Sequence, residues 1–192
     1  NLMIAPPAID PLAIKNADMS PEEVSAVLRR YGVDENRPII TQVSRFDPWK
    51  DPLGVIDAYR IVKREVPGVQ LVLVGSMAND DPEGWEWWEK VARHAGEDWD
   101  IKILSNLNGV GNPEVNAFQR ASQVVIQKST REGFGLVVGE GLWKGRPVVG
   151  GNVGGIPLQI RDGQDGFLVD SVEECGRRVA ELLCNEETRT RM

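Results

Sequence analysis

Two basic residues, Arg45 and Lys50, follow an apolar segment of the chain and precede an Asp-Pro pair, Asp51-Pro52, that predicts a helix start. Arginine offers a planar fork of donors and lysine a compact charge, and together they suit a diphosphate at the mouth of a crevice. Solvated surface cations are the alternative interpretation. Their place after a predicted strand favours the first, because parallel sheets bind ligands beyond the carboxyl ends of their strands.

A second segment combines two glycines with a predicted helix start. Gly133 and Gly135 flank Phe134, and residues without a β-carbon let the backbone approach a ligand closely. The predicted helix begins at Leu136, so the amides of Leu136 and Val137 have no intrahelical acceptor. The helix dipole adds positive potential at this end, and the segment therefore predicts an anion site.

Two acidic residues, Glu132 and Glu140, lie before and within that predicted helix. A fully helical spacing of eight residues separates their Cα atoms by ~12 Å. Carboxyl groups of a hydrolase pair are usually ~5–9.5 Å apart. The two acids therefore favour contacts with the two ends of one elongated ligand, with a glycine-rich turn and ordinary surface acids as the alternative.

The segment 150–157 contains four glycines in its first six residues and predicts either a flexible turn or a wall of the same crevice where side chains would obstruct a ligand. No Gly-x-Gly-x-x-Gly fingerprint follows the first predicted strand and no Walker lysine motif occurs, which excludes ordinary dinucleotide and P-loop sites. The single histidine, His94, excludes a metal cluster built on several histidines.

The candidate residues follow short apolar runs that alternate with helix signals. The runs are nearly continuous in Val, Ile and Leu, which is typical of parallel strands buried on both faces. The sequence thus predicts an α/β fold, a Rossmann-like doubly wound parallel sheet. The predicted strands are Pro38–Val43, Gln70–Val74, Asp100–Leu104, Val124–Ile126, Pro147–Val149 and Gly166–Val169. Predicted helices begin at the caps Ser20, Asp51 and Asn112, and two more cover the tryptophan-rich segment and Leu136–Trp143. The last predicted helix is long and begins at a capping box formed by Ser171 with Glu174.

The chain has 192 residues, 41% apolar and 27% charged, a composition that excludes a disordered or collagen-like protein. Its net charge of −7 argues against nucleic acid as the main partner, and no apolar run approaches the ~18 residues of a membrane span.

Cys175 and Cys184 would project from opposite sides of one helix, so we expect reduced thiols and a cytoplasmic protein. We expect residues 1–15 to be an inter-domain linker and residues 16–192 to form one domain.

The order of these motifs resembles that of the retaining family-4 glycosyltransferases. The shared elements are the Arg–Lys pair after the first strand, the Glu–seven residues–Glu segment, the Gly154–Pro157 turn and the tail Asp162–Val169. The resemblance covers nearly the whole chain in the family's order. Two segments, 43–52 and 78–84, look like those of the archaeal, trehalose-forming members.

The resemblance implies the C-terminal half of a GT-B fold, which binds a nucleotide-sugar donor across a cleft from an acceptor domain. It implies that Arg45 and Lys50 neutralise the donor diphosphate and that Glu132 bonds the sugar hydroxyls, so that these three are the catalytic residues. Further donor contacts are implied for a glycine loop, a helix start, a ribose-binding carboxylate and a loop near the base. These are Gly133, Phe134, Gly135, Leu136, Val137, Glu140, Asn106 and Leu107.

The resemblance also implies transfer of glucose, with retention, from UDP- or ADP-glucose to glucose as acceptor, giving trehalose. The nucleotide sugar is a substrate, and neither a cofactor nor an essential metal is implied. Sucrose-, glycogen- and mannose-transferring relatives, nucleotide-sugar epimerases and a non-catalytic nucleotide-sugar-binding module stay open, as does a homo-oligomer. Leu158 stands where many relatives have Glu, which alters that contact. Without an acceptor domain, we expect the chain to bind donor with poor or no turnover.

Overall fold

A six-stranded parallel sheet forms the centre of the computed structural model, which describes residues 6–78 and 80–192. Its strands follow the order β3-β2-β1-β4-β5-β6, which confirms the predicted doubly wound sheet. Every residue of β1, β2, β4 and β5 is buried, as the continuous apolar runs predict. The strands are β1 (Ile39–Val43), β2 (Gln70–Gly75), β3 (Ile101–Ser105), β4 (Val124–Gln127), β5 (Val148–Gly151) and β6 (Gly166–Val169).

Helices cover both faces of the sheet. On one face α2, α3 and α6 pack together, and on the other α1, α4 and α5 do. The helices are α1 (Pro21–Arg30), α2 (Pro52–Glu65), α3 (Pro82–Ala95), α4 (Asn112–Ala121), α5 (Leu136–Trp143), α6 (Val172–Cys184) and α7 (Glu186–Arg191). Within the described residues, no helix combines the length and apolar character needed to span a bilayer.

Strand β2 illustrates why its sequence shows no polar alternation. Leu71 and Leu73 point into the core beneath α2 and α6, whereas Val72 and Val74 point into the core beneath α1 and α4. All four side chains are at most 4% exposed. Since successive residues of a strand face opposite sides, both sides must be apolar when both are covered.

The strand order reverses direction between β1 and β4. The chain leaves β1 toward β2 and β3 on one side, and leaves β4 toward β5 and β6 on the other. The loops that follow β1 and β4 therefore diverge from neighbouring strand ends and leave a crevice between them. Both loops carry the charged residues that the sequence singled out.

The structure corrects two predicted helix caps. Gly111, rather than Asn112, caps α4, and its N–H donates to the Glu114 carboxylate at 2.8 Å. At the last predicted capping box, the Ser171 hydroxyl accepts from the Glu174 amide at 3.0 Å, but the Glu174 carboxylate does not return a contact to Ser171. The carboxylate accepts from the preceding backbone amide instead, so half of the box forms.

The long helix that the sequence predicts after Ser171 forms and ends at Cys184. The predicted elements miss the short helix α7 beyond it, which Asn185 caps by accepting from the Thr188 amide at 2.9 Å. An asparagine side chain competes with the helical backbone for hydrogen bonds, which explains the break. Cys175 is buried and Cys184 exposed, and both are free thiols.

The predicted linker, residues 1–15, and the segment 78–84 each extend partly outside the described residues, which omit 1–5 and Asn79. The described end of the linker forms turns, in which the Asn16 amide donates to the Asp10 carbonyl at 2.9 Å. Asn16 is buried, and Asn116 of α4 donates to the neighbouring Ala17 carbonyl at 2.7 Å, so this part of the chain contacts a sheet-covering helix.

Candidate active site

The loop after β1 turns sharply through one turn of 3-10 helix, Pro48–Lys50, before α2 begins. The Asp47 carboxylate accepts from the Lys50 amide at 3.1 Å and fixes the first bend. Asp51 adopts a left-handed conformation with φ of 48° and caps α2 by accepting from the Gly54 amide at 3.1 Å. A β-carbon at Gly54 would collide with the Asp51 carboxylate, so this cap requires glycine there.

The β1 loop is fastened to the loop after β4. Gln42 donates to the Lys50 carbonyl at 2.7 Å from within the sheet, and the Thr130 amide donates to the Trp49 carbonyl at 2.9 Å. Lys128, which is buried, forms an ion pair with Asp51. These contacts fix the backbone on both sides of Lys50 and therefore the origin of its side chain.

Lys50 and Glu132, predicted to contact different parts of a ligand, form an ion pair with one another. The Lys50 Nζ lies 2.6 Å from the Glu132 Oε2, and the carboxylate side chain is 9% exposed. Gln127 Nε2 and Ser129 Oγ each donate to the same oxygen at 3.1 Å. Burial raises the pKa of Glu132, but the hydrogen bond and charge of Lys50, with the Gln127 and Ser129 hydrogen bonds, outweigh it and hold that pKa below its ordinary value.

The glycine-rich segment after β5 supports this loop instead of leaving space for a ligand. A β-carbon at Gly154, whose φ is 56°, would overlap the Glu132 carbonyl oxygen, and one at Gly155 would lie 2.7 Å from the Phe134 Cα. The Gly155 amide donates to the Gly133 carbonyl at 2.8 Å. These glycines allow two backbones to pack directly together, which corrects the predicted wall of an open crevice at both positions.

The start of α5 has the geometry that the sequence predicts. Gly135 caps the helix in a left-handed conformation with φ of 82°, and Val138 is the first residue whose amide donates back to it, at 2.9 Å. Among the described residues, the amides of Leu136 and Val137 donate no hydrogen bond. Two free donors at the positive end of a helix dipole can bind an anion.

Glu140 lies one turn further into α5 and is buried. Its Oε1 lies 2.8 Å from the Nζ of Lys15, and its Oε2 accepts from Gln119 Nε2 at 3.1 Å. Lys15 was not a predicted site residue, since it lies in the predicted linker and no pattern around it suggests a ligand. The structure thus adds a third cation to the candidate site.

A crevice of ≈ 340 Å³ lies at the carboxyl ends of β1 and β2, next to the point where the strand order reverses. Among its lining residues are Lys15, Arg45, Asn106 and Val137. Arg45 is largely exposed and lies 3.1 Å from the Asp47 carboxylate. The crevice therefore combines two basic side chains with the residue that carries a free helix amide.

The loop after β3 forms one side of this crevice. Asn106 accepts from the Met77 amide at 2.7 Å and donates to the Met77 carbonyl at 3.0 Å, so it fixes the loop after β2. Leu107 is 54% exposed. Phe134 and Leu136 line a different, apolar cavity with Pro7 and other residues of the N-terminal segment, so the structure does not bring every predicted contact into one crevice.

This fold and site define a Rossmann-like α/β domain with a cation-lined crevice at the reversal of strand order. The chain belongs to the family of glycosyl transferases group 1, which matches residues 25–192. It is 60% identical to a trehalose synthase of Rubrobacter xylanophilus over 186 residues, which are 97% of this chain and 44% of that protein. It is 56% identical to a trehalose synthase of Pyrococcus horikoshii over 190 residues, 99% of this chain and 46% of that protein.

A solved structure shares the fold. The structure of HepE from Anabaena in complex with UDP-glucose matches with a TM-score of 0.73 and 24% identity, over 90% of this chain and 45% of that one. The chain is thus one Rossmann-like half of a GT-B fold, and it spans about half the length of the curated relatives it matches.

Proposed function

We propose that this chain is the donor-binding half of a retaining glucosyltransferase that makes trehalose from a nucleotide glucose, UDP- or ADP-glucose, and glucose. The observation that carries the proposal is the convergence of Arg45, Lys15 and Val137, the last a residue with a free helix amide, on one crevice at the strand-order reversal. The high identity to two trehalose synthases supports the acceptor and the product.

The charges of the site suit the departure of a nucleoside diphosphate. As the glycosidic bond breaks, negative charge gathers on the diphosphate and positive charge on the sugar ring. Arg45, Lys50 and the free amides of α5 would stabilise the diphosphate most when its charge is most developed, which is the differential binding that catalysis requires. A diphosphate would also compete with Glu132 for Lys50, because both are anions.

When the diphosphate displaces Lys50 from Glu132, the Glu132 carboxylate becomes free to accept hydrogen bonds from the sugar hydroxyls. Gln127 and Ser129 keep the Glu132 carboxylate in place while its cationic partner turns to phosphate. In this proposal the acceptor attacks the face that the nucleotide leaves, and a donor phosphate oxygen helps to remove its proton. The reaction then uses no protein nucleophile and no metal.

Calorimetric titration of the chain with UDP, and separately with ADP, tests donor binding. We expect Lys50→Met to weaken binding at least tenfold, because a charge-assisted contact to phosphate contributes roughly 1.5–3 kcal/mol. Lys90→Met, which removes an exposed lysine of α3, is the matched control and should leave the affinity unchanged. Equal affinity in wild type and Lys50→Met would contradict the assignment.

Product analysis separates transfer from the alternatives. A protein of the relatives' full length that carries this chain should convert UDP- or ADP-glucose and glucose to trehalose, in buffer with or without a chelator. Epimerised nucleotide sugar, or a different disaccharide, would contradict the proposed reaction while leaving donor binding intact. Donor binding without any turnover in that protein would favour the non-catalytic module.

A further inference from the structure

A second cavity, of ≈ 360 Å³, lies at the opposite end of the sheet from the candidate active site. Ile39, the first residue of β1, lines it, and Arg146 reaches it from just before β5. Arg120, near the end of α4, and Lys144, which follows α5, are also lining residues. Three cations therefore surround one small cavity at the amino end of the strands.

Among these three cations, Arg146 is the one whose side chain has no hydrogen-bond or ion-pair partner among the described residues. Its Nε is buried without a hydrogen-bond partner, and no carboxylate within residues 6–78 and 80–192 forms an ion pair with its guanidinium. Burial lowers the pKa of Arg146, and the charges of Arg120 and Arg189 lower it further. A partly buried guanidinium without a counter-charge costs free energy, which an anion bound to its other two nitrogens would offset.

The other two cations are held by the protein itself. Lys144 donates to the Asn16 side chain at 3.0 Å and to the Glu140 carbonyl at 3.3 Å. Arg120 donates to the Ala17 carbonyl at 2.9 Å and forms an ion pair with the Asp18 carboxylate at 3.1 Å. Burial lowers the pKa of Lys144, Glu140 opposes this and the charges of Arg120 and Lys15 add to it, with a net pKa of about 8, so positive charge is crowded here. An anion would relieve this repulsion.

The cavity also contains groups that suit the hydroxyls of a sugar. Ser25 donates to the Glu35 carboxylate, and both residues line the cavity. Arg29 lies 3.7 Å from the same carboxylate, so Glu35 carries its own counter-charge and does not cancel Arg146. Leu28 and other apolar side chains complete the lining, as they do in most small-molecule pockets, and the volume falls within the usual ~300–1,000 Å³.

We propose that this cavity binds a phosphorylated sugar, with the phosphate on Arg146 and Arg120 and the sugar hydroxyls on Ser25 and Glu35. A guanidinium fork matches the geometry of phosphate oxygens, and a carboxylate accepts from hydroxyl groups. The site is separate from the crevice at the carboxyl ends of the strands. Its existence does not depend on the proposed function.

Calorimetry with glucose 6-phosphate, inorganic phosphate and glucose as separate probes tests the assignment. We expect the wild-type chain to bind glucose 6-phosphate more tightly than inorganic phosphate. Arg146→Gln should weaken both at least tenfold, whereas Arg64→Gln, the same exchange at an exposed position of α2, should change neither. Glu35→Gln should weaken glucose 6-phosphate alone, because it removes an acceptor for hydroxyls.

Two further variants keep the outcome decisive. Arg146→Lys retains the charge without the fork and should bind more tightly than Arg146→Gln, provided that both variants unfold at the wild-type temperature. Lys50→Met should bind glucose 6-phosphate as wild type does. Loss of binding in Lys50→Met with retention in Arg146→Gln would place the ligand in the candidate active site and overturn the proposal. Absence of binding at millimolar glucose 6-phosphate, or equal affinity for inorganic phosphate, would overturn it as well.

Discussion

At the scale of single residues, the Lys50–Glu132 ion pair determines the charge of the candidate site. The two side chains neutralise each other at 2.6 Å, and two further donors hold the carboxylate from the side of the sheet. A buried carboxylate would otherwise be difficult to keep ionised. The pair therefore keeps an anionic and a cationic side chain next to one another at the candidate site without an uncompensated charge.

The lowered pKa of Glu132 predicts an acid-dependent contribution to stability. A carboxyl group whose pKa is lower in the folded than in the unfolded state stabilises the protein above its unfolded pKa, and the contribution is lost as pH falls through the folded pKa. We expect the difference in unfolding free energy between wild type and Glu132→Gln to shrink as pH falls below 4.5, the ordinary value. Urea unfolding at a series of pH values measures it. A difference that stays constant on acidification would contradict the ionised pair.

In the ion pair between Lys15 and Glu140, a buried carboxylate again depends on a cation from a distant part of the chain. Glu140 has a 6% exposed side chain, so removing its cation leaves a buried carboxylate with one neutral donor. We expect Lys15→Met to lower the unfolding free energy by about 2–3 kcal/mol, somewhat less than the ~3–5 of a fully buried pair, because Lys15 is partly exposed.

A double-mutant cycle with Glu140→Gln provides the control. The double variant should be less destabilised than the sum of the single variants, because neither charge is then left alone. A cost of Lys15→Met below ~0.5 kcal/mol would indicate an ordinary surface pair. In that case the segment around Lys15 would behave as the linker that its sequence predicts.

At the scale of elements, the loops after β1, β4 and β5 hold one another in place. Backbone hydrogen bonds join the first loop to the second, and Gly154 and Gly155 let the third pack against the backbone of the second. The charged residues thus depend on contacts among three loops that are far apart in the sequence. A change in any one of them should alter the position of Glu132.

Gly154→Ala tests this packing. The β-carbon would overlap the Glu132 carbonyl oxygen, in addition to the ~1–2 kcal/mol that a left-handed conformation costs a residue other than glycine. Gly163→Ala is a matched control, since Gly163 has a φ of 75° but nothing within 4 Å of its β-carbon position. In urea unfolding, we expect Gly154→Ala to lose at least ~2 kcal/mol more than Gly163→Ala. Equal losses would show that backbone strain alone matters at both positions.

At the scale of the whole molecule, the crevice lies at the strand-order reversal of a sheet that is buried on both faces. Ligands that bind only the folded state raise its stability, by about 2.7 kcal/mol at a concentration of 100 times the Kd. For a chain of this size each kcal/mol raises the Tm by roughly 2–4 °C. Under the proposed function, we expect UDP or ADP at that excess to raise the Tm by about 5–11 °C.

Differential scanning calorimetry measures this shift. Lys50→Met at the same nucleotide concentration should show a smaller shift than wild type, because its affinity is lower. The Lys90→Met control should show the wild-type shift. A shift of equal size in all three proteins would indicate that the nucleotide binds elsewhere.

Much of the fold is predictable from local patterns. The bounds Leu136–Trp143 and Gly166–Val169 agree with the structure, because a glycine cap and a short apolar run define them within a few residues. The sequence analysis missed the break at Asn185 and the cap at Gly111. In each case, contacts in the folded chain decide which of two adjacent polar or flexible residues takes the capping position.

The sequence alone determined the class of fold, the helix start with its free amides and the order of the charged motifs, since these follow from hydrophobic periodicity and from residues close together in the chain. The tertiary structure alone decided which charges meet. Lys50 pairs with Glu132 across 82 positions, and Lys15 with Glu140 at a still greater separation. Such pairs arise only when the parallel sheet brings distant loops to one edge, and the distances and burial that decide their energies exist only after folding.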